Sequence, residues 1–358
     1  MDGSVAGSPS RHSRVRGCLL GGAAGDALGA AVEKLYLGEI RARFGPGGIR
    51  DYAPAWGRAG AITDDTQMTL FTAEGLLRAR ICEQEKGTAD AASVVHHAYL
   101  RWLLTQGERP AADVAIGRDG WLWGVAALHQ RRGPGDTCRA GLIAARGFGA
   151  PPTAENGSKG CGGVMRVAPV GLLVPADRAF ATGAATAALT HGDPSAFLAA
   201  GHMARTVAAL MQGLPLPASL DAADTELRRR SGHEELAALL ARARALAARG
   251  RPCPEDLETI GAGWSGHEAL AIAVLCALTA RDFADGIRLA ANHSGDSDST
   301  AAITGNLLGA LLGEAAIGPD WIDGLELRDE IAQVADDLGA ALDGTLTGEA
   351  ARARYPGW

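Results

Sequence analysis

The chain has 358 residues, of which 47% are hydrophobic and only 5% aromatic, and its apolar residues are mostly Ala, Leu and Val, with Gly abundant beside them. A composition this poor in aromatic side chains favours closely packed helices over sheets. The net charge of −7 argues against a protein that binds nucleic acid directly through a basic surface. The six cysteines form no CxxC pair, which predicts reduced thiols in a cytoplasmic protein.

The first elements in chain order are a tail and a glycine-rich helix. Residues 1–12 are predicted to be a disordered tail. Residues 1–10 are polar and rich in Gly, Ser and Pro, and they contain no apolar stretch that could form the core of a signal peptide. Ser13 is a candidate N-cap for a helix in which small residues recur at helical spacing. Gly and Pro then predict a loop over residues 38–60. A second helix is predicted to begin at Thr63.

The rest of the chain is predicted to be helical, with loops and short helices over residues 107–163. Its last strong helix is predicted from Ser299, where Gly305, Gly309 and Gly313 recur every four residues and form a face for tight packing. Polar residues interrupt the apolar stretch at 300–318, which favours a buried helix over a membrane span. We predict one compact all-α domain over residues 13–358, a monomer that does not enter membranes. Between Thr63 and Ser299 the predicted helices cover residues 63–80, 90–106, 164–175, 178–190, 194–212, 219–249 and 266–279.

Two acidic motifs stand where loops become helices, Thr63-Asp64-Asp65-Thr66 and Asp296-Ser297-Asp298-Ser299. Each could be a simple helix cap, since hydroxyl and carboxylate side chains accept hydrogen bonds from free backbone N–H groups. The second motif is not an EF-hand, because Ala301 and Leu307 occupy the positions that need Gly and Glu. If the four carboxylates converge, a divalent cation would offset their repulsion, and an all-oxygen site suits Mg²⁺ or Mn²⁺.

A glycine-rich loop and two isolated residues are further candidates. The segment Gly157–Gly163 could expose backbone N–H groups to a phosphate, although an ordinary flexible loop has the same composition. His191 could donate to a phosphate or be a structural histidine. Glu33 could be a base, a carboxylate beside a metal, or simply exposed to solvent.

These motifs, in this order and together with the upstream segment GDALG, resemble the ADP-ribosylglycohydrolase family over about residues 13–318. The resemblance implies an all-α fold with two Mg²⁺ or Mn²⁺ ions and with Glu33 as an acid near them. It also implies that Trp264 stacks on the ligand. The implied metal ligands are Thr63, Asp64, Asp65, Asp296, Asp298 and Ser299. The implied phosphate site comprises Gly157, Ser158, Lys159, Gly160, Cys161, Gly162 and His191.

Two segments depart from the family pattern. Cys161 stands in Gly160-Cys161-Gly162, where many relatives have GNG. Gly133 begins the stretch that lies nearest to the D-x-G-N-T motif of the bacterial glycohydrolases, although Asp136 is close by. These differences leave the choice of substrate open.

The resemblance implies a metal-dependent hydrolase that cleaves ADP-ribose from a modified macromolecule. Glu33 or Asp65 would take a proton from water or stabilise an oxocarbenium-like transition state. Two alternatives are a non-catalytic ADP-ribose-binding or crystallin-like protein, and a hydrolase of a free ester such as O-acetyl-ADP-ribose. The linkage could be to arginine, serine, a nucleobase or a small ester.

Overall fold

Helices account for most of the chain in the computed structural model, which describes residues 8–147 and 154–357. Seventeen α-helices lie in this described part. They are α1 (Arg11–Gly29), α2 (Leu37–Phe44), α3 (Asp64–Lys86), α4 (Ala91–Thr105), α5 (Asp136–Ile143), α6 (Ala168–Leu173), α7 (Ala176–Ala188), α8 (Pro194–Met211), α9 (Leu216–Leu227), α10 (Glu234–Ala247), α11 (Pro254–Glu258), α12 (Gly266–Thr279), α13 (Phe283–Ala291), α14 (Ser297–Leu312), α15 (Pro319–Asp323), α16 (Arg328–Leu342) and α17 (Gly348–Arg354). Short 3₁₀ helices cover Leu122–Gly124, Ala126–His129, Cys161–Gly163 and Glu314–Ala316. The all-α prediction is confirmed.

The first helix begins earlier than the predicted tail allows. Ser10, rather than Ser13, is the N-cap of α1, and the Ser13 N–H donates to the Ser10 hydroxyl oxygen at 3.1 Å. Residues 11 and 12, which were predicted to belong to the tail, are therefore helical. The rest of that prediction falls partly on residues 1–7, which lie outside the described residues.

The helices α1 and α14 form the centre of the fold and approach each other through small residues. A β-carbon added at Gly17 would lie 2.4 Å from the Gly309 carbonyl oxygen, and one at Gly21 would lie 2.6 Å from that of Gly305. The predicted glycine face of the last helix therefore packs directly on α1 at Gly305 and Gly309. Gly313 ends α14 with a φ of 79°.

The predicted loop over residues 38–60 is only partly a loop. It contains most of α2, whose first turn is capped by the Glu39 carboxylate accepting from the Tyr36 N–H at 2.8 Å. It also contains the two-residue strands β1 (Pro54–Ala55) and β2 (Arg58–Ala59), which pair in an antiparallel hairpin. Trp56 and Gly57 form its turn with φ values of 49° and 88°, the positive values that tight hairpin turns require.

The single helix predicted over residues 219–249 is two helices, α9 and α10. The chain turns between them at Gly232, whose φ is 78°, a conformation that ends a helix and that glycine adopts without strain. All six cysteines are free thiols, as predicted. No helix in the described ranges combines the length and the apolar character that crossing a bilayer needs.

Candidate functional site

The first acidic motif is fixed to α1 by Asp26, which is fully buried. The Asp26 carboxylate accepts from the backbone N–H of Thr63 at 3.0 Å and from that of Thr66 at 3.1 Å, and also from both threonine hydroxyls. Burial raises the pKa of Asp26 to about 6, although these donors oppose the shift. Sequence reasoning did not single out Asp26. The sequence feature that could have indicated Asp26 is an acidic residue among the small residues of the segment GDALG.

Thr63 caps α3 and so places the two acids that follow it. Its hydroxyl oxygen accepts from the Asp65 N–H at 3.3 Å. Asp64 accepts from the Gly135 N–H at 3.1 Å. Asp65 differs, since its Oδ1 atom is buried and accepts no hydrogen bond from the described part of the chain. The motif is therefore both a helix cap and a source of one carboxylate oxygen without a donor.

The second acidic motif begins α14 and lies against the end of α1. A β-carbon on Gly29 would lie 2.4 Å from the Asp298 α-carbon, so only glycine permits this approach. The Asp296 N–H donates to the Ala262 carbonyl at 2.9 Å. The Cys161 thiol donates to Asp296 Oδ2 at 2.7 Å.

Both motifs and the glycine-rich loop open into one cavity of about 550 Å³. The cavity does not include every predicted site residue. Thr63 is buried against Asp26, Gly157 and Ser158 do not line the cavity, and the Lys159 ammonium pairs with Glu235 at 2.6 Å. The predicted site residues that line the cavity are Glu33, Asp64, Asp65, Gly160, Cys161, Gly162, His191, Trp264, Asp296, Asp298 and Ser299.

The acids of this cavity repel one another. Burial, followed by the charge of neighbouring carboxylates, raises the pKa of Asp64, Asp65 and Asp298 well above the usual range. Burial also raises the pKa of Asp296. Such a cluster favours either protons or a cation. As placed, no three His, Cys, Asp or Glu side chains of the described ranges lie close enough together to hold one metal ion.

The glycine-rich loop is held between His191 and the segment before α12. The Cys161 N–H donates to the Trp264 carbonyl at 3.0 Å, and the Gly266 N–H donates to the Lys159 carbonyl at 2.7 Å. A β-carbon at Gly162 would lie 3.0 Å from the His191 ring. Burial and then the Arg166 charge lower the pKa of His191 to about 3, so this histidine is neutral near pH 7. The loop is therefore a braced segment of backbone beside the acids.

The mouth of the cavity contains Glu33, whose carboxylate pairs with the Lys34 ammonium at 2.8 Å. Gly133 lies between Glu33 and Asp64, with a φ of 73°. Asp136 also lines the cavity, but its side chain is 98% exposed and pairs with Arg139 at 2.8 Å.

Comparison with known proteins shows the family to which the chain belongs. A model of the family described as ADP-ribosylglycohydrolase matches residues 7–347. The chain is 30% identical over 334 residues to an ADP-ribosyl-(dinitrogen reductase) glycohydrolase of Rhodospirillum rubrum, covering 90% of this chain and 93% of the relative. It is 26% identical over 337 residues to an ADP-ribosylarginine hydrolase of Pseudomonas putida, covering 91% of this chain and 77% of the relative.

A solved structure titled as an ADP-ribosylglycohydrolase-related protein complex has the same fold. It matches with a TM-score of 0.68 at 27% identity, covering 93% of this chain and 99% of the other. The family model begins at residue 7 and so includes the start of α1. The chain belongs to the ADP-ribosylglycohydrolase family.

Proposed function

We propose that the protein hydrolyses the glycosidic bond between ADP-ribose and a modified macromolecule, and so reverses ADP-ribosylation. The observation that carries this proposal is the single cavity that brings the acids of both motifs next to the glycine-rich loop. A glycosidase needs carboxylates at the anomeric carbon, and a nucleotide diphosphate needs backbone that it can approach closely. The relatives' names, which refer to ADP-ribosyl groups, agree with this chemistry.

The proposed cofactor is a pair of Mg²⁺ or Mn²⁺ ions, and the acids would have to move closer together than they lie in this structure to hold them. Asp65 Oδ1 is buried without a donor, and the neighbouring acids have raised pKa values. These are the properties of oxygen ligands that a cation would satisfy. If bound, such ions would polarise the ribose oxygens and make a nearby water easier to deprotonate. The residues that would hold them are Thr63, Asp64, Asp65, Asp296, Asp298 and Ser299.

The other side chains would bind and orient the substrate. Gly160, Cys161 and Gly162 line the cavity with backbone that a diphosphate would approach. The neutral His191 packs against Gly160 and Gly162 and so supports this loop. Trp264 offers an aromatic face for a base or a ribose. Glu33 lies at the mouth, where it would accept a proton from the attacking water. Asp65 is the second candidate base.

The test replaces one acid in each motif, as Asp64→Asn and Asp298→Asn. Each change is expected to lower the release of ADP-ribose at least about 100-fold, since groups that position or activate the reacting atoms contribute factors of this size. In the absence of metal, folding stability is expected to be unchanged or higher, because a repelling charge is removed. Mg²⁺ or Mn²⁺ is expected to raise the melting temperature of the wild type but not of the variants.

The measurements are a release assay against arginine-, serine- and nucleic-acid-linked ADP-ribose, and thermal unfolding with and without metal. Asp329→Asn is the matched control, because this acid lies in an exposed ion pair with Arg328 on α16. Full activity of either variant at saturating metal would contradict the metal assignment. If the wild type binds ADP-ribose but releases none from any substrate, the protein is a non-catalytic binder.

A further inference from the structure

A second cavity, the arginine cavity, has a volume of about 320 Å³ and lies between α2, α13 and the segment before α11. Among the described residues it shares no lining residue with the cavity that contains the acidic motifs. Its volume is sufficient for a small molecule. Within the described ranges only two acids line it, Asp282 and Asp285, against five arginines. The arginines are Arg41, Arg50, Arg251, Arg281 and Arg288.

The buried part of the lining is held in a fixed position by Asn292, which is 5% exposed. Its side-chain oxygen accepts from the Ile49 N–H at 2.8 Å, and its side-chain nitrogen donates to the Ile49 carbonyl at 2.9 Å. Gly48 permits this fit, because a β-carbon there would lie 1.8 Å from the Asn292 oxygen. Leu37 and Leu289 are also buried and add apolar surface. The arginine cavity therefore has a braced and partly apolar floor.

The acids inside the arginine cavity neutralise only part of its positive charge. The Asp285 carboxylate, which is 8% exposed, accepts from the guanidinium groups of both Arg251 and Arg281. Asp282 caps α13 by accepting from the Asp285 N–H at 2.8 Å. In the part of the chain that the structure describes, the Arg50 side chain has no hydrogen bond and no ion pair. At least one guanidinium is therefore free to bind an anion.

The other two arginines pair with exposed acids that do not line the cavity. Arg41 pairs with Glu255 at 2.5 Å, and Arg288 pairs with Asp51 at 3.1 Å. The side chains of these acids are 50% and 83% exposed. Because exposed ion pairs contribute little to stability, an incoming anion can replace either carboxylate at low cost. Five arginines face four carboxylates in this set, so one positive charge remains even when every pair is formed.

A phosphate group suits this arrangement better than a carboxylate does. Guanidinium groups bind phosphate through parallel N–H donors, and a phosphate monoester has a charge of about −1.5 to −2 at pH 7. The arginines come from three separate segments of the chain, so they can contact several oxygens of one phosphate. An inorganic ion would leave the apolar floor uncovered. Pro46, Pro252 and Pro254 add further apolar surface for an organic group.

We propose that the arginine cavity is a second binding site, which takes a small organic phosphate monoester. The phosphate contacts the arginines, with Arg50 as the residue that is free to bind it, and the organic group covers the floor beside Leu37 and Leu289. The site is separate from the cavity that contains the acidic motifs and does not depend on the hydrolase activity proposed above.

The test is isothermal titration calorimetry with adenosine monophosphate, adenosine and inorganic phosphate, each in the presence of saturating ADP-ribose, which is a diphosphate diester. The wild type is expected to bind adenosine monophosphate at least about 10-fold more tightly than adenosine or inorganic phosphate. Arg50→Gln should weaken this binding about 10-fold, the size expected for one charge-assisted contact. The double variant Arg41→Gln/Arg50→Gln should weaken it further. Arg328→Gln is the matched control, because this arginine pairs with Asp323 outside both cavities.

The proposal would be overturned if the wild type does not bind adenosine monophosphate, or if both variants bind it as tightly as the wild type does. Inorganic phosphate that binds as tightly as adenosine monophosphate would show that the floor contributes nothing. Loss of the binding in saturating ADP-ribose would place it in the cavity that contains the acidic motifs. Circular dichroism checks the fold of each variant. Release of ADP-ribose should be unchanged in both variants, and a wild type that releases none leaves the titrations as they are.

Discussion

Asp26 of α1 anchors the first acidic motif by accepting four hydrogen bonds from Thr63 and Thr66. Its role is to hold the backbone of the α3 N-terminus so that Asp64 and Asp65 point into the cavity. A buried carboxylate with four donors is also costly to alter, because every donor would lose an acceptor.

We expect Asp26→Asn to lower the free energy of unfolding by about 2–4 kcal/mol, because an amide turns an N–H group towards donors that need an acceptor. It should also reduce activity, since the turn that carries Asp64 loses its support. Thr66→Val removes one of the four donors and should cost only about 1 kcal/mol. Denaturant unfolding of the purified variants measures both changes. An Asp26→Asn protein as stable as the wild type would show that the carboxylate is not the anchor.

Residues that line the cavity were predictable only where a motif marked them. The resemblance supplied Asp64, Asp65, Asp296, Asp298 and Ser299, and these residues do line one cavity. Asp26 carried no comparable signal, because a single acid in a helix is usually a solvated one. Lys159 belongs to the predicted loop but pairs with Glu235, since the direction of a loop side chain follows no sequence period.

The element that sets the distance between the acidic motifs is the pair α1 and α14. Gly25 shows how close they are, because a β-carbon there would lie 2.0 Å from the Ala301 carbonyl oxygen. The approach continues to Gly29, which contacts the backbone of the second motif. A side chain at either of these two glycines would push the start of α14, and with it Asp298, away from α3.

We expect Gly25→Ala to destabilise the fold by about 1–3 kcal/mol, the usual cost of an extra methyl group in a filled core. The rate of ADP-ribose release should fall along with the stability of this variant. Gly38→Ala is the matched control, because Gly38 lies in α2 with nothing within 4 Å of the added β-carbon. That control should be neutral or gain up to about 1 kcal/mol. If Gly25→Ala were equally harmless, the two helices would not be in close contact.

Elements with a strong periodic pattern were predicted well, and the others were not. The helices α3, α4, α8 and α12 lie where the spacing of apolar residues placed them. The missed helix α2 is short and is followed at once by Gly45 and Pro46, so its stability depends on a cap rather than on a pattern. The break between α9 and α10 depends on Gly232. The spacing of apolar residues does not reveal the backbone conformation of a single glycine.

At the scale of the whole molecule, stability is expected to fall in mild acid because buried histidines are neutral. His97 of α4 is 6% exposed, and its ring lies 3.1 Å from the Arg101 guanidinium. Burial, and then the charges of Arg101 and Arg78, lower its pKa to about 3. The unfolded chain binds a proton on this histidine below a pH of about 6.5, whereas the folded chain does not. The contribution of His97 to stability is therefore complete above that pH and is lost as the pH falls towards 3.

We expect His97→Gln to remove this part of the acid sensitivity. Between pH 6.5 and 4 the stability of the wild type should fall relative to the variant by up to about 1.4 kcal/mol per pH unit. Urea unfolding at pH 7, 6, 5 and 4 measures the difference, with His129→Gln at an exposed position as the control for loss of a histidine. If the stability difference between the wild type and His97→Gln stays constant with pH, His97 has the same pKa in the folded and unfolded chains.

The pairing of α1 with α14 also has a consequence for biosynthesis. The helix α1 has its principal partner at residues 297–312, so its row of glycines lacks that partner until the segment up to residue 312 has left the ribosome. At about 5–20 residues per second, this interval lasts about 15–60 s. During that time the first helix of the nascent chain depends on other contacts, and the cavity that contains both acidic motifs is among the last parts of the fold to be assembled.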